Sequence, residues 1–116
     1  MKSNAIFTIG EAAFYAGITR RIILNYEAKG LIFPDRKDGE SGNRFYTSRS
    51  LRRIRTVRAL QNEGLSLDEI REYLNGNLDL LTPIHRLEKM RDELNRKIEL
   101  LYERVHAAQN DSKSAK

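Results

Sequence analysis

From Thr82-Pro83 to about Gln109 the chain carries an uninterrupted helical pattern, and no other feature limits its possible folds as much. Proline suits the first helical position because its missing N–H would have no intrahelical partner there, so Thr82 as cap and Pro83 as first residue mark a start. Apolar residues then recur at Ile84, Leu87, Met90, Leu94, Ile98, Leu101, Val105 and Ala108, at spacings of 3, 3, 4, 4, 3, 4 and 3. That is close to a heptad seam with one local irregularity. A helix of this length spans roughly 40 Å, and a core built from the preceding residues cannot cover the whole seam. The pattern therefore predicts a dimerisation helix over 82–109, with Leu87, Met90, Leu94, Ile98, Leu101 and Val105 against a partner helix. Residues 110–116 are polar and are expected to be a disordered tail.

The rest of the chain is one small domain's worth. With 116 residues, 40% of them hydrophobic, it can build one modest core and has no room for a second catalytic domain. The absence of cysteine excludes disulfides, thiolate metal sites and iron–sulfur clusters. The N-terminal apolar run is too short for a signal peptide, and no stretch approaches a membrane span. A cytoplasmic, nucleoid-associated location is the expectation. Charge is unevenly placed: residues 1–64 hold twelve Lys/Arg and six Asp/Glu, whereas residues 65–116 hold nine and ten. The first half is the candidate polyanion face. A charge run usually solvates a helix surface, but Arg49, Arg52, Arg53, Arg55 and Arg58 within ten residues fit that reading poorly.

Local signals order the first half into helix, turn, helix, hairpin, helix and helix. Thr8-Ile9-Gly10-Glu11 is a capping box, and Gly17 suits a tight turn. Thr19 caps a second helix that stops at Lys29-Gly30. Helical spacing gathers Ile18, Ile22, Tyr26 and, at the margin, Ile23 on its inner side, with Arg20, Leu24 and Glu27 outward and Arg21 and Asn25 flanking. Leu24 is the apolar exception on the outer face. The glycine-bearing stretch Asp35–Gly42 reads as a hairpin loop and Arg44-Phe45-Tyr46 as its return strand, a minimal two-stranded wing. Alternation puts Arg44 and Tyr46 on one side and Phe45 on the other; the expectation is that Phe45 pins the wing to the core while its neighbours face out. Thr47 or Ser48 caps an arginine-rich third helix to Glu63, and Ser66-Leu67-Asp68-Glu69 is a second capping box that opens a short fourth.

The segments Phe7–Ala13, Gly17–Thr19, Asn25–Glu27, Lys29–Leu31, Gly42–Tyr46 and Gly64–Ile70, in this order, resemble the DNA-binding half of the MerR family of transcriptional regulators. The likeness covers roughly residues 6–74. It implies a mainly α fold: a winged helix-turn-helix domain over 6–75 followed by a long C-terminal coiled-coil helix that pairs antiparallel in a homodimer. It also implies binding to a pseudo-palindromic promoter site with distortion of the operator. By position, Thr19, Arg20, Arg21, Leu24, Asn25, Tyr26 and Lys29 fall on the groove-entering helix, Arg44 and Tyr46 on the wing, and Arg49, Arg52 and Arg53 on the third helix. Two positions depart from the family pattern. Leu24-Asn25 stands where Arg and an aromatic are usual, and Asn43 stands where Tyr is usual. Leu24 can meet a thymine methyl and Asn25 can read adenine.

Double-stranded DNA and a second copy are thus the expected partners, with RNA polymerase or a regulatory protein as a further one and no membrane. No cofactor or metal is expected. His85 and His106 lie about 32 Å apart along one helix and cannot share an ion within one chain. The chain reads as a regulator without an effector domain. The alternatives are an excisionase-like architectural DNA-binding factor and a coiled-coil adaptor with a basic interaction surface. Without a nucleophile–His–acid set, an enzyme is not expected.

Overall fold

The computed structural model describes residues 5–114, with side chains as far as 111. Its elements run β1 (Ile6–Thr8), α1 (Ile9–Ala16), α2 (Arg20–Ala28), β2 (Arg36–Lys37), β3 (Arg44–Thr47), α3 (Ser48–Asn62), α4 (Leu67–Leu74) and α5 (Leu81–Ser114). They divide into one unit ending at Asp79 and a second beginning at Leu80. The chain is mainly helical, with a winged helix-turn-helix region and one long C-terminal helix, as the residue pattern predicts. Among the described residues no helix is long and apolar enough to cross a membrane.

Each helix of the first unit starts where a side chain can take an orphan backbone N–H. Thr8 and Glu11 form the full reciprocal capping box at α1, and Ser66 and Glu69 form another at α4. Thr19 accepts from the Ile22 N–H at 3.1 Å, and Thr47, not Ser48, caps α3 through the Ser50 N–H. The turn between α1 and α2 passes through Gly17 at φ 70°, a conformation that glycine adopts without a Cβ penalty.

The core gathers Ala12 and Ala13 from α1, Ile23 and Tyr26 from α2, Leu31 and Ile32 after it, Tyr46 from β3, Leu51, Ile54 and Val57 from α3, and Leu65 and Ile70 around α4. Each large side chain among them contributes about 1.5–3 kcal/mol by leaving water. The buried centre of α2 is Ile23 rather than Ile22, since Ile18 and Ile22 are only half covered. A rotation of one residue along the helix makes that difference.

The sheet departs from the two-stranded expectation. It has three strands in the order β1-β3-β2, both pairings antiparallel. Phe7 is opposite Tyr46 and Arg36 is opposite Phe45. The residues just before the α1 cap thus supply a strand that alternation over so short a run cannot announce.

The second unit is α5, 34 residues and about 51 Å long. It starts at Leu81, so Thr82 and Pro83 lie inside the first turn instead of at the cap and first position. It also runs on through residues 110–114, which corrects the expectation of a disordered tail there; Ala115 and Lys116 lie outside the described residues. Asn110 and its followers are polar, but none breaks a helix already propagating.

Candidate nucleic-acid interface

Helix α2 presents Arg20, Arg21, Leu24, Asn25 and Lys29 to solvent, beginning at the Thr19 cap. Leu24 is 39% exposed on this otherwise polar face. Arg20 is held close to the start of α1: a Cβ added to Gly10 would lie 2.8 Å from its Nη2. Glycine therefore leaves the space in which the guanidinium rests. Thr8, Ile9, Gly10, Arg20, Asn43, Arg44 and Phe45 line a cleft of about 230 Å³. Two guanidinium-bearing side chains and the N-terminal turn of α1, where the helix dipole is positive, share its wall.

The wing is a hairpin whose turn closes through Asp38 N–H to Asn43 O and Gly42 N–H to Asp38 O, both 2.9 Å. Arg44 does not hang free from it. Its Nε donates to Glu27 Oε1 at 2.7 Å and its Nη1 to Gly42 O at 3.4 Å. Both partners of the ion pair are less than a quarter exposed. Glu27 is thus no outer-face residue, and its carboxylate ties α2 to the wing.

Two expected contact residues are corrected. Tyr26 is fully buried and donates its hydroxyl to Gln61 Oε1 at 2.7 Å, so it anchors α2 to α3 and cannot touch a bound ligand. Tyr46 is also fully buried, and its hydroxyl has no hydrogen-bond partner among the described residues. Alternation paired Arg44 with Tyr46 correctly, but that side of β3 faces inward. Phe45 lies on the other side, half covered, with the Arg36 guanidinium 4.2 Å from its ring centre. Burial pushes the Tyr46 hydroxyl up to about pKa 12; the Glu27 charge pushes the same way and Arg44 opposes it.

The arginines of α3 divide by role. Arg49 and Arg52 are exposed. Arg53 Nε donates to Leu31 O at 2.9 Å and Arg55 Nη2 to Tyr15 O at 2.9 Å, while Arg58 Nη1 reaches Gln61 Oε1 at 3.3 Å. From α4, Arg71 Nη1 donates to Lys29 O at 3.0 Å. Arg53, Arg55 and Arg71 satisfy carbonyls left open at and just beyond the ends of α1 and α2, a structural use of charge at helix C-termini, whereas Arg58 bonds a side chain within α3. Arg53 and Arg55 remain exposed residues, and Arg58 is half-buried.

Asp35 is a site residue that residue pattern did not reveal. Its Oδ2 accepts from the Thr47 N–H at 2.8 Å, from Thr47 Oγ1 at 3.2 Å and from Ser50 Oγ at 2.5 Å. A carboxylate from the wing thereby fills the N-terminal anion position of α3. Burial works to raise its pKa, but the bonds from Ser50 and Thr47 outweigh it and hold the carboxyl below its ordinary value. The twelve-residue separation leaves no local signature.

A helix pair with an exposed basic second helix, joined to a small antiparallel sheet whose hairpin is tied to that helix, defines a winged helix-turn-helix protein. Residues 7–77 match the family described as MerR HTH family regulatory protein, and the chain belongs to that family of transcription regulators, which are not enzymes. It is 40% identical over 74 residues to the nodulation protein NolA of Bradyrhizobium elkanii, a match covering 63% of this chain and 33% of that protein. The chain spans less than half the length of the NolA relatives it matches. Among solved structures, a MerR family regulator from Bacillus cereus superposes with a TM-score of 0.61 at 21% identity, covering 85% of this chain and 74% of that one. HiNmlR, a MerR family regulator lacking the sensor domain and bound to promoter DNA, gives 0.55 at 23% identity, covering 87% and 79%. At these identities the likeness shows the fold.

Proposed function

We propose that this chain is a sequence-specific transcriptional regulator that binds duplex DNA as a homodimer, on a pseudo-palindromic promoter site that it distorts. The observation that carries this reading is the exposed face of α2 beside the Arg20–Arg44 cleft. Arg20, Arg21, Leu24 and Asn25 suit base edges in a major groove, while the wing and α1 suit the adjoining phosphates. Arg49 and Arg52 add a second basic contact on α3. The DNA-bound state of HiNmlR supports the same use of the fold here. The seam on α5 supplies the second copy, and two such faces fit half-sites about one helical turn apart, roughly 34 Å. Two wings gripping phosphates on both flanks of one site favour a bent or untwisted duplex.

Binding of Arg44→Ala to a selected site across a salt series tests the reading. The expected result is weaker binding on all sequences alike and a salt slope reduced by about two, one for each subunit's wing. Unchanged affinity and slope, or competition by RNA as strong as by the specific duplex, would overturn it.

A further inference from the structure

The chain between α2 and β2 is anchored at both ends and presents an aromatic ring between them. Leu31 is fully buried, and its carbonyl accepts from Arg53 Nε at 2.9 Å. Asp35 donates its N–H to Phe45 O at 2.9 Å and holds Thr47 and Ser50 through Oδ2. Ile32 is 1% exposed, whereas Phe33 beside it is 67% exposed, and Pro34 fixes the backbone just beyond. A phenyl ring so exposed adds little to the core, and its position in water forgoes the stabilisation that burial would bring. Ile32, Phe33, Asp35, Arg49, Ser50 and Arg53 line a cavity of about 300 Å³. That lies at the lower end of the sizes of small-molecule pockets, about 300–1,000 Å³.

The rest of the wall is charged. Arg49 is exposed and has no ion-pair partner among the described residues. Arg53 uses Nε on Leu31 O, and its guanidinium carries further N–H donors. Asp35 is the one opposing charge, and its Oδ2 already accepts from Thr47 and Ser50. Ser50 has its proton committed to Asp35, so it offers a ligand only a lone pair. Two guanidinium groups against one carboxylate leave the cavity with one net positive charge at neutral pH, which a monoanion neutralises. A lone phosphate oxygen would meet the charge and leave the Phe33 ring and the Ile32 floor unused. A flat apolar body that ends in a carboxylate answers both.

We propose that this cavity binds a small planar aromatic monocarboxylate, its ring against Phe33 and Ile32 and its carboxylate held by Arg49 and Arg53. The guanidinium fork matches the two carboxylate oxygens, and the ring pairs with Phe33 stacked or edge-on. Arg49 is also one of the cations assigned to DNA in the function proposed above. An acid held on it withdraws it from phosphate, so acid and DNA oppose each other by the same factor in either direction. That opposition rests on the DNA-binding reading, whereas occupancy of the cavity does not.

Titration of the full chain without DNA, using sodium 2-naphthoate and 1H–15N NMR, tests the site. A ligand of this size is expected to saturate with a dissociation constant of about 1 mM, with shifts concentrated at residues 32–35 and 49–53. Acetate, which has the charge without the ring, and benzamide, which has the ring without the charge, should each bind about tenfold more weakly or worse. Phe33→Ala should weaken naphthoate about tenfold at an unchanged unfolding temperature. Three results would each overturn the site: no saturation up to about 20 mM, shifts gathered at residues 98–105 instead, or wild-type naphthoate affinity in Phe33→Ala. With a selected duplex at fixed ionic strength, saturating naphthoate should raise the DNA dissociation constant several-fold and acetate should not. Unchanged DNA affinity with the cavity occupied overturns the opposition alone. A chain that binds naphthoate as described but prefers no duplex over random DNA overturns the DNA-binding reading and leaves the site standing.

Discussion

Two fully buried tyrosines differ only in what their hydroxyls touch, and removing each hydroxyl should move stability in opposite directions. Tyr26 donates to Gln61 at 2.7 Å, and the Gln61 oxygen also accepts from Arg58 at 3.3 Å. Tyr26→Phe deletes one net hydrogen bond without orphaning its acceptor, a cost of about 1 kcal/mol. For a domain of this size that lowers Tm by about 4–8 °C. Tyr46 has a buried hydroxyl without a partner among the described residues, so Tyr46→Phe removes a desolvated polar group and should leave stability unchanged or raise it by up to about 1 kcal/mol. Thermal unfolding followed by circular dichroism reads both, and DNA titration well below Tm should find both affinities at the wild-type value. The pH series adds a second readout. Because the folded pKa of Tyr46 is raised from 10.0 to about 12, the native state holds its proton longer than the unfolded chain. Stability present below pH 10 should therefore be lost as pH rises through 12, and Tyr46→Phe should flatten that loss. A Tyr46→Phe penalty equal to that of Tyr26→Phe would refute the orphaned hydroxyl. A tenfold affinity loss at unchanged Tm would refute the burial of either ring.

Gly10→Ala should displace the Arg20 guanidinium, since the new Cβ would come within 2.8 Å of Nη2; DNA affinity falls by about 1 kcal/mol while Tm holds, as gel shift and calorimetry can check. Asp35→Asn should lower stability at neutral pH by about 1 kcal/mol through weaker capping of α3. Because the Asp35 pKa is depressed below 3.8, wild-type stability is present above that pH and lost as pH falls through the folded pKa. Acid titration of the variant should show a shallower fall. Leu24→Arg should change the sequence preference of sites selected from random duplex, and an unchanged preference would remove Leu24 from base reading.

Capping boxes, the glycine turn and the seam were legible because each depends on residues within a turn or two. Thr8 with Glu11 and Ser66 with Glu69 fold as their spacing requires. The misreadings share a cause: a short strand announces its alternation but not which side meets the core. Arg44 and Tyr46 share a side of β3, yet only packing turns that side inward and leaves Phe45 under Arg36. The outward reading of Glu27 and the unread role of Asp35 have one origin, since their partners lie 17 and 12–15 residues away and are joined only after the hairpin folds. Arginine density marked α3 as basic without distinguishing the exposed Arg49 and Arg52 from Arg55, whose guanidinium bonds the Tyr15 carbonyl.

Selection of binding sites by the full chain from random duplex DNA, with RNA and unselected duplex as competitors, tests the central claim most directly. The account predicts enrichment of an inverted repeat whose half-sites are centred about one helical turn apart, bound more tightly than either competitor and weakened steeply by salt. Recovery of no shared motif, or of a single unrepeated one bound no better than RNA, would contradict it.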